Sequence, residues 1–184
     1  MKTISRIVAY LIFFVIFAQV SILAQEVFST FEVEQNIHMV KDRRFAPRVQ
    51  YGYGIAQGIE LAMPGGLLFG LAGSVSILPE PPLADGMSYR GLTSLGGLLS
   101  IGYTYSSTPP DVVALGIIAT IHAEYARYRS TNLFFFYPTL ELAPTLSYNI
   151  DRAVGVRFSV PIRYSFRLDL EYHVSTGISF AFLL

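Results

Sequence analysis

The chain has 184 residues, 52% of them hydrophobic and only 14% charged, with 13 basic against 13 acidic side chains and a formal net charge of zero. A typical soluble domain carries about a quarter charged residues, so much of this apolar surface must face something other than water. There is no cysteine, which excludes a disulfide-stapled secreted domain and a lipid anchor on an N-terminal Cys.

At the N-terminus Lys2 and Arg6 precede the apolar run Ile7 to Ala18, and small or polar residues follow at Ser21, Ala24 and Gln25. This order predicts a secretory signal peptide over 1–24, cut after Ala24. An uncleaved anchor is the alternative, because the run approaches spanning length. Residues 25–184 then make one domain. Beyond the signal no run nears the about 18 to 20 consecutive apolar residues of a spanning helix. A membrane protein without such helices must close a barrel, the other way to pair every backbone group in lipid.

Gly, Pro, Asn and Asp punctuation divides the rest into eight alternating segments: Ser29 to Val40, Val49 to Ala62, Leu67 to Ile77, Arg90 to Ser106, Val112 to Tyr128, Phe134 to Asn149, Val154 to Ser165 and Glu171 to Leu183. Each is long enough to cross a bilayer as a tilted strand, which takes roughly 9 to 11 residues. The predicted fold is all-β, an eight-stranded antiparallel up-and-down transmembrane β-barrel. Its second, fourth and sixth connections are tight turns at Met63 to Gly66, Thr108 to Asp111 and Asn149 to Arg152, whereas the first and third, Lys41 to Arg48 and Leu78 to Tyr89, are longer. With both termini in the periplasm, every tight turn falls on the periplasmic side, as in bacterial barrels. The fifth connection, Arg129 to Asn132, is short for an outer loop.

Alternation separates the faces. In the fifth segment Val113, Leu115, Ile117, Ala119, Ile121, Ala123 and Tyr125 oppose Gly116, Thr120, His122 and Glu124; the sixth and seventh set Leu140, Leu142, Phe158 and Ile162 against Glu141, Arg157 and Arg163. A one-residue slip would put Arg157 or Glu141 into lipid, so the register is well specified. Segments two to four carry small inward residues such as Gly52, Gly54, Ala72, Ser74, Gly96 and Ser100. Bulges are expected at Pro138, Pro144 and Pro161, since proline removes a ladder donor.

Outward aromatics fall into two belts, Tyr51, Tyr53, Tyr125, Phe136, Tyr164 and Tyr172 near one set of strand ends and Phe31, Phe69, Tyr103, Tyr105, Tyr148 and Phe182 near the other. Lys41, Arg43, Arg44 and Arg48 form an outer basic rim, joined by Arg90, Arg127, Arg129 and Arg167. Such a rim is suited to the phosphates of a surface glycolipid, or it is simply a solvated edge.

The inward set comprises Glu32, Glu34, Glu60, Glu124, Glu141 and Glu171 with Arg157, Arg163, His38, His122 and His173. Side chains largely fill an eight-strand barrel, so a polar network of Glu60, His122, Glu124, Glu141, Arg157, Arg163 and His173 is expected to plug the lumen. Glu124 or Glu141 should pair with Arg157 or Arg163; a narrow cation-preferring path is the other reading. The i, i+2 pairs His122/Glu124 and Glu171/His173 raise catalysis, but proximity to a nucleophile is not visible in sequence. No nucleotide loop, zinc spacing or calcium loop occurs, so no cofactor, metal or enzymatic activity is expected.

The last segment resembles the assembly signal of bacterial outer-membrane barrels at Ser175, Gly177, Phe180 and Phe182, departing from it in the Leu183 and Leu184 that follow. With the architecture above, the mature chain resembles the small eight-stranded outer-membrane β-barrels, a group that includes outer membrane proteins A, X and W. The resemblance implies residence in the bacterial outer membrane and insertion by the barrel assembly machinery, with Phe180 and Phe182 on the recognised strand. Partners are then membrane lipid and glycolipid phosphates, without nucleic acid. The implied function is a structural or surface-interaction role. The alternatives are a narrow channel for small or hydrophobic molecules, with a gap in the wall near Pro138 or Pro144, and a secreted lipocalin-like barrel. That last form would be apolar inside and polar outside.

Overall fold

The computed structural model describes residues 26–80, 91–106, 112–129, 133–150 and 154–184. The expected signal peptide and its cleavage site, Arg90, Arg152, the turn at Thr108 to Asp111 and most of the third connection lie outside the described residues. The strands are β1 (Glu26–Lys41), β2 (Arg48–Ala62), β3 (Leu67–Leu78), β4 (Leu92–Ser106), β5 (Val113–Tyr128), β6 (Phe134–Asn149), β7 (Gly155–Ser159), β8 (Ile162–Ser165) and β9 (Tyr172–Leu183). Every pairing is antiparallel, β7 and β8 lie end to end between β6 and β9, and β9 pairs with β1. The wall is therefore a closed barrel of eight staves, the seventh made of β7 and β8.

Closure fixes the tilt. Stepping from Phe28 through the directly paired residues Glu60, Gly70, Ser100, Thr120, Glu141, Arg163 and Ser175 returns to β1 at His38, ten residues further along. A stagger of this size goes with strands inclined by roughly 35 to 45° and an interior that side chains can fill. At one end of the barrel lie Glu26 and Leu183; the other, called outer below, carries the β1–β2 and β8–β9 connections.

The tight β2–β3 turn is closed by Met63 N–H donating to Leu67 O at 2.8 Å. It passes through Gly65 and Gly66 at φ +83° and +89°, the left-handed region that a side chain disfavours.

The faces follow the alternation. Val33, Ile37, Ile55, Ile59, Leu95, Leu99, Ile117, Ile121, Leu140, Leu142, Phe158 and Ile162 are exposed on the outside, while Asn36, Glu60, Thr120, His122, Arg157 and Ser179 are buried inside. The expected belt residues Tyr51, Tyr53, Tyr125, Phe136, Tyr103, Tyr105, Tyr148 and Phe182 all point outward. This polarity is the inverse of the lipocalin-like alternative.

The expected bulges do not form. β6 runs unbroken through Pro138 and Pro144, which stay in register with Ala123 and Ile117. At Pro161 the seventh stave breaks into β7 and β8, yet the two halves keep one register with β6 and β9, so no residue is inserted. Parity explains this. Pro144 O accepts from Val160 N–H, Pro138 O from Phe166 N–H and Pro161 O from Gly177 N–H. Each proline therefore faces the seventh stave or its β9 edge, and only the return bond from its absent N–H is missing. Two donors are lost between β6 and the seventh stave and one between that stave and β9, and only the seventh stave is interrupted, without a shift of register.

The β1–β9 ladder closes the barrel from Lys41↔Tyr172 to Thr30↔Leu183. Leu184 extends it, donating to and accepting from Ser29 at 2.9 and 2.6 Å. Leu183 and Leu184, the two residues beyond the expected signal, thus complete the seam. In the same ladder a Cβ on Gly177 would sit 2.1 Å from Gln35 O and 2.5 Å from Asn36 Oδ1. Gly177→Ala is expected to destabilise the barrel by about 1 to 3 kcal/mol through overpacking, read as a lower urea midpoint of protein refolded into detergent, where no assembly machinery acts. An unchanged midpoint would assign the glycine no packing role.

Candidate functional site

The lumen gathers the titratable side chains at three heights. Nearest Glu26 and Leu183, Arg157 on β7 reaches across to Glu60 on β2, donating from Nη1 to Oε2 at 2.7 Å and from Nη2 to Oε1, with its Nε on Ser147 Oγ at 3.2 Å. At mid-height, Arg163 on β8 bridges Glu141 on the adjacent β6 and Glu34 on β1, and His122 Nε2 lies 3.1 Å from Glu141 Oε2. Glu32 accepts from Ser179 Oγ on β9.

Higher still, Glu124 is held by three hydroxyl donors, Ser94 at 2.8 Å, Tyr137 at 2.9 Å and Thr139 at 3.1 Å. His38 Nδ1 and His173 Nε2 meet at 2.9 Å.

Among the expected pairings, Glu141 does meet Arg163. Arg157 takes Glu60 instead, and Glu124 takes hydroxyls. Strand height is the reason: Arg157 lies in the half of the barrel near Leu183, as Glu60 does, while Glu124 lies close to the outer end of β5. Glu171, expected inside, is exposed at the rim and pairs with Lys41 at 2.9 Å. Neither i, i+2 pair is a catalytic dyad, since His122 turns to Glu141 and Glu171 leaves the lumen.

Of the basic rim, Lys41 and Arg48 end their strands, and Arg43 and Arg44 lie exposed in the connection between. Arg44 is close to Asp42, Nε to Oδ1 3.5 Å, and stacks over Phe45 at 5.6 Å. Arg167 is the exception among the rim arginines: it is turned inward and only 5% exposed.

Arg167 caps the lumen, a feature the sequence reading missed. Its guanidinium lies 5.2 to 5.9 Å from the rings of Tyr128, Phe135 and Tyr137. It donates to Tyr128 OH and to Asp169 Oδ2, each at 2.7 Å, and Tyr128 OH donates to Asp169. Leu78, Leu92 and Ala126 pack beneath the rings, and Leu170 packs on Val40, so the β8–β9 connection folds over the outer mouth. The available signal was three bulky aromatics on inward positions of β5 and β6.

Burial alone would raise the Asp169 carboxyl, but the hydrogen-bonded Arg167 outweighs it and holds the group below its ordinary value. A depressed carboxyl stabilises the folded state above its unfolded value of about 4, and that contribution is lost as pH falls through the lower folded value. Acid titration of the unfolding midpoint should show a loss in this range that is smaller in Asp169→Asn.

Below the cap a cavity of about 110 Å³ remains, lined by polar groups of β1 and β5 to β9 and, on β2 to β4, by Glu60, by serines such as Ser74 and Ser100 and by small or apolar residues such as Ala56, Gly70, Ala72 and Leu98.

No protein-family description matches the chain, and no curated protein matches it. Among solved structures, the crystal structure of Neisserial surface protein A superposes with a TM-score of 0.63 at 12% identity, covering 87% of this chain and 99% of that one. The Yersinia pestis attachment invasion locus protein Ail aligns over 87% of this chain and 100% of its own, also at 12% identity, with a TM-score of 0.45. At such identities the likeness is one of fold. With its wall closed β9 to β1, its apolar exterior and its similarity in fold to Neisserial surface protein A, the chain is a small eight-stranded antiparallel barrel of the outer-membrane type.

Proposed function

We propose that the protein is an integral bacterial outer-membrane barrel with a structural or surface-interaction role, non-catalytic, its lumen plugged by the Glu/Arg network and its outer mouth capped by Arg167. The observation that carries this reading is the polarity of the wall: large apolar residues outside on every stave, paired charges inside. In water that exterior would be a liability, and in hydrocarbon it is the solvent-facing surface. The reading includes export by a cleaved signal peptide and insertion by the barrel assembly machinery through the strand carrying Ser175, Gly177, Phe180 and Phe182.

Heat-modifiable gel migration of protein from a detergent-extracted outer-membrane fraction is the test. A folded band that shifts on boiling is expected. Recovery in the soluble periplasmic fraction without a shift would overturn the reading.

The exposed Arg43 and Arg44, with Lys41 and Arg48 beside them, form the surface proposed to meet glycolipid phosphates. Neutralising Arg43, Arg44 and Arg48 should weaken glycolipid association, and unchanged association would assign the rim to solvation alone.

A second reading, a narrow conduit for small or hydrophobic molecules, is favoured by the seventh stave, where Pro138 and Pro144 on its β6 edge and Pro161 on its β9 edge leave three ladder donors missing. Single-channel conductance or flux through reconstituted barrels would support it, and electrically silent, impermeable barrels would leave the plugged form.

A further inference from the structure

With the barrel placed in the outer membrane, as proposed above, we infer that it pairs within the bilayer with a second copy of itself, through an outward patch of β2 to β4 that carries Gln57, Gly73 and Gly97. Between the two aromatic belts the outward side chains are Val, Ile, Leu, Phe, Ala, Gly and Pro, apart from Thr176 and two amides, Gln35 and Gln57. Gln57 is exposed near the middle of β2, between Ile55 and Ile59, which are 49% and 45% exposed. No side-chain hydrogen bond to it occurs among the described residues. In hydrocarbon its two donors and its acceptor have nothing to meet, since an acyl chain offers neither and bulk water does not reach that depth.

The wall beside Gln57 is thin. Gln57 is paired with Gly73, Gly73 with Gly97 and Gly97 with Ala123, so an outward row crossing β2 to β5 is almost bare of side chains, with Leu71, Val75, Leu95 and Leu99 standing on either side of it. Nothing within the barrel requires these two glycines. A Cβ on Gly97 would meet no atom within 4 Å, and one on Gly73 only Gly96 O at 3.9 Å. Neither has a positive φ, and the β3–β4 ladder runs through both without a bulge. The reason left for a glycine inside a strand is the close approach of another backbone or a ligand. In lipid, where no hydrophobic force drives association, contact depends on close packing over small residues and on interchain hydrogen bonds. The glycine row supplies the first and Gln57 the second. A second copy is the partner that fits both. Two barrels inserted in the same sense and related by a two-fold axis along the membrane normal present the same residue at the same depth, so that each Gln57 amide donates to and accepts from the other. Gln35 lacks this setting, because its direct partners are the bulky outward Tyr53 and Ile178.

The test is sedimentation equilibrium of the full-length barrel, folded in a density-matched zwitterionic detergent, over a range of protein to detergent ratios, with the folding of every sample checked by heat-modifiable gel migration. A reversible monomer–dimer equilibrium is expected. Gln57→Leu exchanges the amide for a lipid-compatible side chain, and Gly97→Leu fills the row from a position where a side chain meets nothing in its own barrel. Each should weaken dimerisation by about tenfold or more, and the second keeps the interface testable if the first does not fold. Gln35→Leu should leave the equilibrium unchanged. A folded wild-type barrel that stays monomeric at every ratio would overturn the inference and leave the row to lipid chains, with the membrane reading intact. A dimer that either Gln57→Leu or Gly97→Leu leaves unweakened would overturn it too, as would one that Gln35→Leu weakens equally. A chain with no heat-modifiable band would instead overturn the outer-membrane reading, and the interface with it.

Discussion

Replacing Arg163 by methionine is expected to cost about 3 to 5 kcal/mol of unfolding free energy, the range for removing one member of a buried ion pair. The side chain is buried between two carboxylates from different staves, Glu34 on β1 and Glu141 on β6. Methionine replaces most of its volume and none of its five donors, so both carboxylates lose their cation inside a confined lumen. The effect should disappear largely in the triple variant Glu34→Gln, Glu141→Gln, Arg163→Met, because neutral groups of similar size carry no uncompensated charge. The urea midpoint of detergent-folded protein, followed by gel mobility, measures both. A loss below about 1 kcal/mol, the scale of an exposed pair, would mean that water reaches the site freely. The equivalent cycle on Glu60 and Arg157 is expected to behave alike, and the two cycles should add, since the two clusters lie at different heights and among the described residues no hydrogen bond joins them.

The staves and their faces were legible because a barrel wall imposes period two along the whole of each strand, and a single misplaced Arg157 or Glu141 would have betrayed a wrong register. Even the extension of β1 back to Glu26 follows from its partner, since Ala62 ends β2 directly opposite. The ion-pair partners were not legible for the opposite reason. Which carboxylate meets which guanidinium depends on height along the barrel axis, and height is set by the ten-residue stagger accumulated round the wall, a quantity that no single strand's alternation contains. Arg157 therefore reaches Glu60, ninety-seven positions away in the chain, while its expected partner Glu124 sits near the far mouth. Arg167 was read as a rim cation because charged loop residues usually face water. Tyr128, Phe135 and Tyr137 on inward positions offered a cage that outweighs hydration of a weakly hydrated guanidinium. The prolines show the same limit: their count suggested disruption, and only their parity showed the three lost donors confined to the two edges of the seventh stave.

Placing arginine at Ile121 separates the membrane reading from every water-soluble one. Ile121 lies near the centre of the 16-residue β5 and points outward, 55% exposed. If that surface faces hydrocarbon, Ile121→Arg should cost about 2 to 4 kcal/mol, whereas Tyr125→Arg, on the same face but two pleat repeats further on, in the outer belt, should cost about 0 to 1 kcal/mol. If the surface faces water, neither substitution touches a buried group, and both should fall within about ±0.5 kcal/mol. The measurement is urea unfolding from lipid vesicles, with wild type and both variants refolded in parallel. The gradient between the two sites is the decisive quantity, because a general defect in folding would lower both midpoints together, while only a low-dielectric slab makes the penalty depend on depth. A steep gradient would also fix the height of the slab on the barrel. It would show whether Glu32, Glu34 and Arg163, at mid-height inside the wall, are shielded from both aqueous phases by the same slab.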